Sequence, residues 1–257
     1  MAIDFDIEDG IAIITINRPE KLNALDAEHY RGLSKAWVRV RDSEEVRVAI
    51  VTGAGERAFT TGADIKSFVA QPAGYEQMWL TQRDQLLNRG LEVWKPVICA
   101  VNGLCLGGGT TLLLGTDIRV AAEHATFSLA EVKRGVIPAN GGTQRILSQL
   151  PYAIAMEMLL TGDTIDAATA LRWGLINKVV PAGDLMNAAL GYAKRIASAA
   201  PLAVQAAKEL AVRGRDMDLT TGLRMEQMVL RLLQSTEDAK EGPAAFAEKR
   251  PAEFKGR

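Results

Sequence analysis

Apolar residues recur along this chain in two alternating patterns. Ile11 to Ile16 is a β-branched run that ends at Asn17-Arg18-Pro19, a turn signal, and predicts a strand. Asp26 stands where a helix N-cap belongs, and Leu33, Trp37 and Val40 follow at helical spacing. Val46 to Thr52 predicts a second buried strand, closed by Gly53-Ala54-Gly55. Met78 to Leu91 is expected to be helical, and Lys95-Pro96 stops it and launches Val97 to Val101 as a short buried strand. A glycine-bearing stretch from Asn102 to Gly109 leads into Thr110 to Leu114, which opens a buried helix. Asp117 to Ala121 and Phe127 to Leu129 predict two further strands. Apolar strands interleaved with helical segments argue for an α/β domain with buried sheets.

From about Asp163 the pattern turns Ala-rich and helical, over Asp166 to Gly174, Leu185 to Leu210 and Met217 to Gln234. Ser235 to Pro243 reads as a polar linker and Ala244 to Lys249 as a last short helix. The expected organisation is a main domain over 1–199 and a helical appendage over 200–257. No internal period of about 20–50 residues marks a repeat protein.

Composition narrows the partners. At 257 residues the chain is long enough to bury a sizeable core. Its 30 basic and 31 acidic residues give a net charge of −1, so no basic excess exists to neutralise a nucleic-acid backbone. Cys99 and Cys105 are the only cysteines, too few for a disulfide framework, which points to a reducing, cytoplasmic setting. Met1 to Asp6 is acidic and lacks the form of a signal peptide. No run of about 18 apolar residues predicts a membrane span.

The sharpest local feature is Gly107-Gly108-Gly109, between a predicted strand and a predicted helix. Glycine lets a backbone N–H approach a ligand closely, and a helix N-terminus adds unsatisfied donors, so the run fits an oxyanion hole. It equally fits a tight strand-to-helix turn with close packing, and spacing leaves both open. It is not a P-loop, because Thr110 follows the last glycine directly, and Gly103 and Gly107 miss the dinucleotide spacing. Thr61-Gly62-Ala63-Asp64 is a second glycine loop, read either as a connection with a capping Asp64 or as a second N–H donor at Ala63. Glu131 follows a predicted strand among apolar residues, where burial would favour its neutral form and suit proton transfer. Its alternative reading is a surface glutamate opening a helix. His29 and His124 read as surface residues, the cysteines as core, and no metal-ligand spacing is present.

Five segments in order resemble the crotonase superfamily of enoyl-CoA hydratases and isomerases across nearly the whole chain. They are Asn17 to Leu25, Ala58 to Lys66, Pro96 to Gly103, Leu106 to Gly109 and Gly135 to Arg145. The ending from Ser235 to Arg250, with Ala170 to Gly174, looks most like the carnitinyl-CoA dehydratase branch. The resemblance implies a spiral of ββα units followed by a helical trimerisation region, assembled as a homotrimer or a dimer of trimers. It implies an acyl-CoA substrate, with no cofactor beyond the substrate's own coenzyme A moiety. The N–H groups of Ala63 and Gly108 would grip the thioester oxygen. Lys21, Leu22, Ala24, Asp64 and Ile65 would line the CoA channel. Phe246 and Lys249 would reach a neighbouring subunit's adenine and phosphates. The acyl pocket is expected within Ser67 to Gln85, including Phe68, Tyr75, Met78 and Trp79.

One departure bears on the chemistry. Family hydratases use two glutamates, and Glu131 matches the later one, but the earlier position is Thr111. A threonine hydroxyl orients water and is no base at neutral pH. The expected activity is therefore an enoyl-CoA hydratase or isomerase with Glu131 as its acid/base. The alternatives are a CoA-thioester or C–C bond hydrolase on the same scaffold, or a weakly active acyl-CoA-binding protein.

Overall fold

The computed structural model describes residues 2–66 and 85–257. The chain runs β1 (Ile3–Glu8), β2 (Ile11–Ile16), α1 (Ala27–Asp42), β3 (Val48–Gly53) and β4 (Ala58–Thr60). It continues through β5 (Val97–Val101), β6 (Leu104–Leu106), α2 (Gly108–Leu113), β7 (Ile118–Ala122) and β8 (Thr126–Ser128). Then come α3 (Gly142–Gln149), α4 (Tyr152–Thr161), β9 (Ile165–Asp166), α5 (Ala167–Arg172), β10 (Lys178–Val180) and α6 (Leu185–Ala197). The ending is helical: α7 (Pro201–Arg213), α8 (Leu219–Gln234) and α9 (Glu237–Glu248).

The strands sort into two sheets, in the orders β1-β2-β3-β5-β7-β10 and β4-β6-β8-β9. β3, β5 and β7 are parallel neighbours in the first, and β4, β6 and β8 are parallel neighbours in the second. From β3 to β8 each strand pair thus sends one member to each sheet and steps one place along, which builds a spiral of ββα units. Alternation explains why both faces of the large sheet are apolar. Ala49, Val51, Cys99 and Val101 face α1 and the small sheet, while Val48, Ile50, Ile98 and Ala100 face Leu185, Ala189 and Ala193 of α6. The cysteines are core, as expected.

Several expectations need correction. Ser235 to Pro243 is no linker: Thr236 caps α9 by accepting from the Ala239 N–H, and Asp238 is buried, accepting from the Lys255 and Gly256 N–H groups. The stretch Leu185 to Leu210 is two helices, because Pro201 cannot continue the first and opens the second. Of Met78 to Leu91, Met78 to Asp84 lie outside the described residues; the rest is a turn whose Gly90 has φ +94°. His29 is buried, not a surface residue, with Nδ1 2.7 Å from Asp26 Oδ1. Asp26 does cap α1, accepting from the Glu28 and His29 N–H groups.

Candidate active site

β4, β6 and β8 end side by side, so the segments that follow them meet at one edge of the small sheet. Ala63 follows β4, Gly108 follows β6 and Glu131 follows β8. Ligands gather at the carboxyl ends of parallel strands for this topological reason.

The loop after β4 is fixed by its neighbours. Thr60 Oγ1 donates to Asn23 O (2.6 Å) and accepts from the Gly62 N–H (3.1 Å). The Leu25 N–H donates to Gly62 O and the Asp64 N–H to Leu25 O, making a one-residue bridge between Leu25 and Ala63. The loop after β6 is equally fixed. The Gly107 N–H donates to Ser128 O, and Thr110 Oγ1 bonds Cys105 O (2.7 Å) and Ser128 O (2.8 Å).

The two loops touch backbone to backbone. A Cβ on Gly62, whose φ is +81°, would lie 2.5 Å from Gly108 N, and one on Gly109 would lie 2.4 Å from Thr60 O. A Cβ on Gly108 would lie 3.4 Å from Ala63 N. The loops pack tightly, and that packing sets the backbone nitrogens of Ala63 and Gly108 side by side. Gly108 is the first residue of α2 and has no intrahelical acceptor. Neither its N–H nor that of Ala63 bonds a backbone acceptor in the loops and turns of the described residues.

Glu131 closes the group. The space left by the missing side chain of Gly107 ends on its carboxyl, with Oε1 at 3.2 Å. The residue is partly buried, and Oε2 is buried without a hydrogen-bond partner among the described residues. Burial pushes the carboxyl above the usual glutamate range, partly offset by its own backbone N–H and by Arg134.

Thr111 lies one turn into α2 and is 1% exposed. Its hydroxyl donates to Gly108 O (3.0 Å) and accepts from Asn88 Nδ2 (3.3 Å). Around Arg18 gather Lys21, whose N–H donates to Arg18 O, and Asp64 Oδ2 (3.0 Å), Asp26 Oδ2 (3.3 Å) and Ala24 O (3.3 Å), all three reached by Arg18 Nη1. Leu22 O accepts from the Thr61 N–H, Lys21 ends an exposed helical turn, and Ile65 is 54% exposed. Phe246 and Lys249 sit apart on the last helix and its cap; Phe246 is 87% exposed, and the ordered bonds of α9 run to the C-terminal tail. Phe68, Tyr75, Met78 and Trp79 lie outside the described residues.

Sequence reasoning missed Arg18, Asn88 and Tyr30 here. Tyr30 falls on the same helical stripe as Leu33 and Trp37, and its hydroxyl lies 3.6 Å from where a Gly108 Cβ would be. A polar aromatic leading an inward-facing stripe is the signal that was available.

The family model described as enoyl-CoA hydratase/isomerase matches residues 6–257. The chain belongs to the enoyl-CoA hydratase/isomerase family. It is 42% identical over 256 residues to the (E)-benzylidenesuccinyl-CoA hydratase of Thauera aromatica, covering 100% of both chains. It is 42% identical over 249 residues to the carnitinyl-CoA dehydratase of Proteus mirabilis (strain HI4320), covering 95% of this chain and 94% of that one. The enoyl-CoA hydratase structure from Bacillus anthracis matches with a TM-score of 0.92 at 36% identity, over 100% of both chains. That from Mycobacterium tuberculosis H37Rv matches with a TM-score of 0.91 at 37% identity, over 99% of both. Fold and enzyme class thus agree with the crotonase resemblance. Among the described residues, no helix is long and apolar enough to cross a membrane.

Proposed function

We propose that this family member is a reversible hydratase of an enoyl-CoA thioester, with Glu131 as its one acid/base and the Ala63 and Gly108 N–H groups holding the thioester oxygen. The observation that carries the reading is the meeting of three strand ends: Gly62 against Gly108 N, and the Glu131 carboxyl against Gly107. In the hydration direction Glu131 takes a proton from water as the water oxygen bonds to the β-carbon. The electron pair of the double bond moves onto the thioester, and the two amides stabilise the enolate oxygen. Glu131 then returns its proton to the α-carbon, which adds one water across the double bond and regenerates the carboxylate. The reverse sequence expels water. A carboxyl whose neutral form is favoured by burial can return a proton as well as take one. The hydratase and dehydratase names of both relatives favour this over a double-bond shift, which needs the same carboxylate and no water.

The test is a panel of (E)-benzylidenesuccinyl-CoA, carnitinyl-CoA and crotonyl-CoA, with enoyl-thioester absorbance and free CoA thiol followed separately. The absorbance is expected to change without thiol release, and only weakly with crotonyl-CoA. Thiol release at a matching rate would assign a thioester hydrolase, and carbon–carbon cleavage products a C–C bond hydrolase. Binding with neither signal would assign an acyl-CoA-binding protein.

The same proposal gives Lys21, Leu22, Ala24, Asp64 and Ile65 the walls of the CoA channel, and Phe246 and Lys249 a neighbouring subunit's CoA. It makes 200–257 the oligomerisation region. The isolated chain exposes 14404 Å², against about 11,000 Å² for a compact monomer of this mass. α7 and α8 bury no residue, and Leu219, Leu223, Met228 and Leu232 are exposed on α8. Light scattering after size exclusion is expected to return three chain masses, or six; a monomer would remove this assignment.

A further inference from the structure

We infer that Tyr30 is a third donor to the thioester oxygen, its hydroxyl completing the site formed by the amides of Ala63 and Gly108. This rests on the hydratase reading above. The argument is geometric. The space vacated by the side chain Gly108 lacks is bounded by Gly62 Cα at 3.1 Å, Ala63 N at 3.4 Å and Tyr30 Oη at 3.6 Å. A ligand oxygen seated near that point lies beside both amides and within reach of the phenol. A methyl group on residue 108 would fill the point, so glycine there keeps it open.

The ring that delivers the hydroxyl is held in place. Tyr30 stands one turn into α1, whose N-terminus is anchored by the Asp26 cap, and it packs against the core alongside Leu33 and Trp37. Burial pushes the phenol up to about 12; nearby Arg89 pulls it down, and the Glu131 carboxyl raises it further. The phenol therefore keeps its proton across the working pH range, where it can donate and not act as a base. A neutral donor also adds no charge that would oppose Glu131 in its ionised form. Of the three described atoms nearest this point, the phenol oxygen is the one that belongs to a side chain.

The test compares wild type with Tyr30→Phe, which keeps the ring and its packing. Two readouts are used. One is kcat on the best substrate of the panel. The other is the carbonyl stretch of [1-13C]butyryl-CoA, a saturated thioester that binds without turnover, measured at saturation so that only folded, liganded protein reports. The expected result is a fall in kcat of about 10²-fold, the size seen when one oxyanion donor is removed. KM should change little, and the carbonyl band should move part of the way back towards its position in free solution. An unchanged band and an unchanged kcat overturn the assignment. An unchanged band with a lowered kcat also overturns it, because the loss then comes from somewhere other than the thioester oxygen. If wild type itself shows no carbonyl shift and no turnover, the hydratase reading falls and the Tyr30 assignment with it. A shift in wild type that Tyr30→Phe retains removes Tyr30 alone.

Discussion

Glu131→Gln is expected to lower kcat by about 10²- to 10⁴-fold, the usual worth of a positioned acid/base, while butyryl-CoA still binds. The amide matches the carboxylate in shape and can neither take nor return a proton. The same substitution carries a second signature. Burial raises the Glu131 pKa above the ordinary glutamate value of 4.5, so the folded protein holds that proton more tightly than the unfolded chain. Ionising the group therefore costs the folded state stability. This cost is absent below the unfolded value and grows as pH rises through the folded one. Glutamine never ionises, so the variant should melt above wild type near pH 7, and the difference should close as pH falls towards 4.5. For wild type, kcat for hydration should rise with pH through a value above the ordinary glutamate range and then level. Activity lost together with stability gained is the mark of a group strained for chemistry. A variant that keeps more than a tenth of wild-type kcat would remove Glu131 from its role.

What could be read in advance follows physical reach. β2, β3 and β5 are rich in β-branched, apolar residues, so local pattern and burial agree, and they form where the runs lie. Asp26 was legible because a cap acts on its own next residues. The failures are places where tertiary contacts decide. The polar stretch at Ser235 becomes helix because Asp238 accepts two N–H groups from the chain's end, a contact 17 and 18 residues away. His29 is buried by its bond to Asp26 and the core under α1. The spiral has no fixed period because β3, β5 and β7 begin at Val48, Val97 and Ile118. In the site, the two glycine loops and Glu131 stood out from local sequence with two readings each, the crotonase resemblance implied their roles, and the fold brings them together. Tyr30 and Asn88 lie outside the motifs: the helical stripe of Leu33 and Trp37 marks Tyr30 as inward-facing, but folding alone sets it beside Gly108 and sets Asn88 on Thr111.

Gly62→Ala is expected to remove most of the activity through one methyl group. The left-handed φ of +81° alone costs a non-glycine residue about 1–2 kcal/mol. The larger effect is steric. The new Cβ would lie 2.5 Å from Gly108 N and 3.0 Å from Leu106 O, and both are backbone atoms with no rotamer to escape into. The loop carrying Gly108 cannot retreat easily, since Thr110 ties it to Cys105 O and Ser128 O. Nor can the loop carrying Gly62, tied through its carbonyl to Leu25 and through its N–H to Thr60. The two must separate, and the pairing of the Ala63 and Gly108 amides proposed for the thioester oxygen is then lost. Losing one such donor costs about 10²- to 10³-fold in kcat, so a loss at least that large is expected, with a lowered melting temperature. Two controls divide strain from geometry. Gly174→Ala meets nothing within 4 Å at φ +78°, so it should lose stability and keep kcat. Gly183→Ala meets nothing and has no positive φ, so it should change neither. The carbonyl band of bound butyryl-CoA should revert towards free solution in Gly62→Ala alone. Wild-type turnover and an unshifted band in that variant would mean that the amides need no such contact, and the thioester site would have to be sought elsewhere on the molecule.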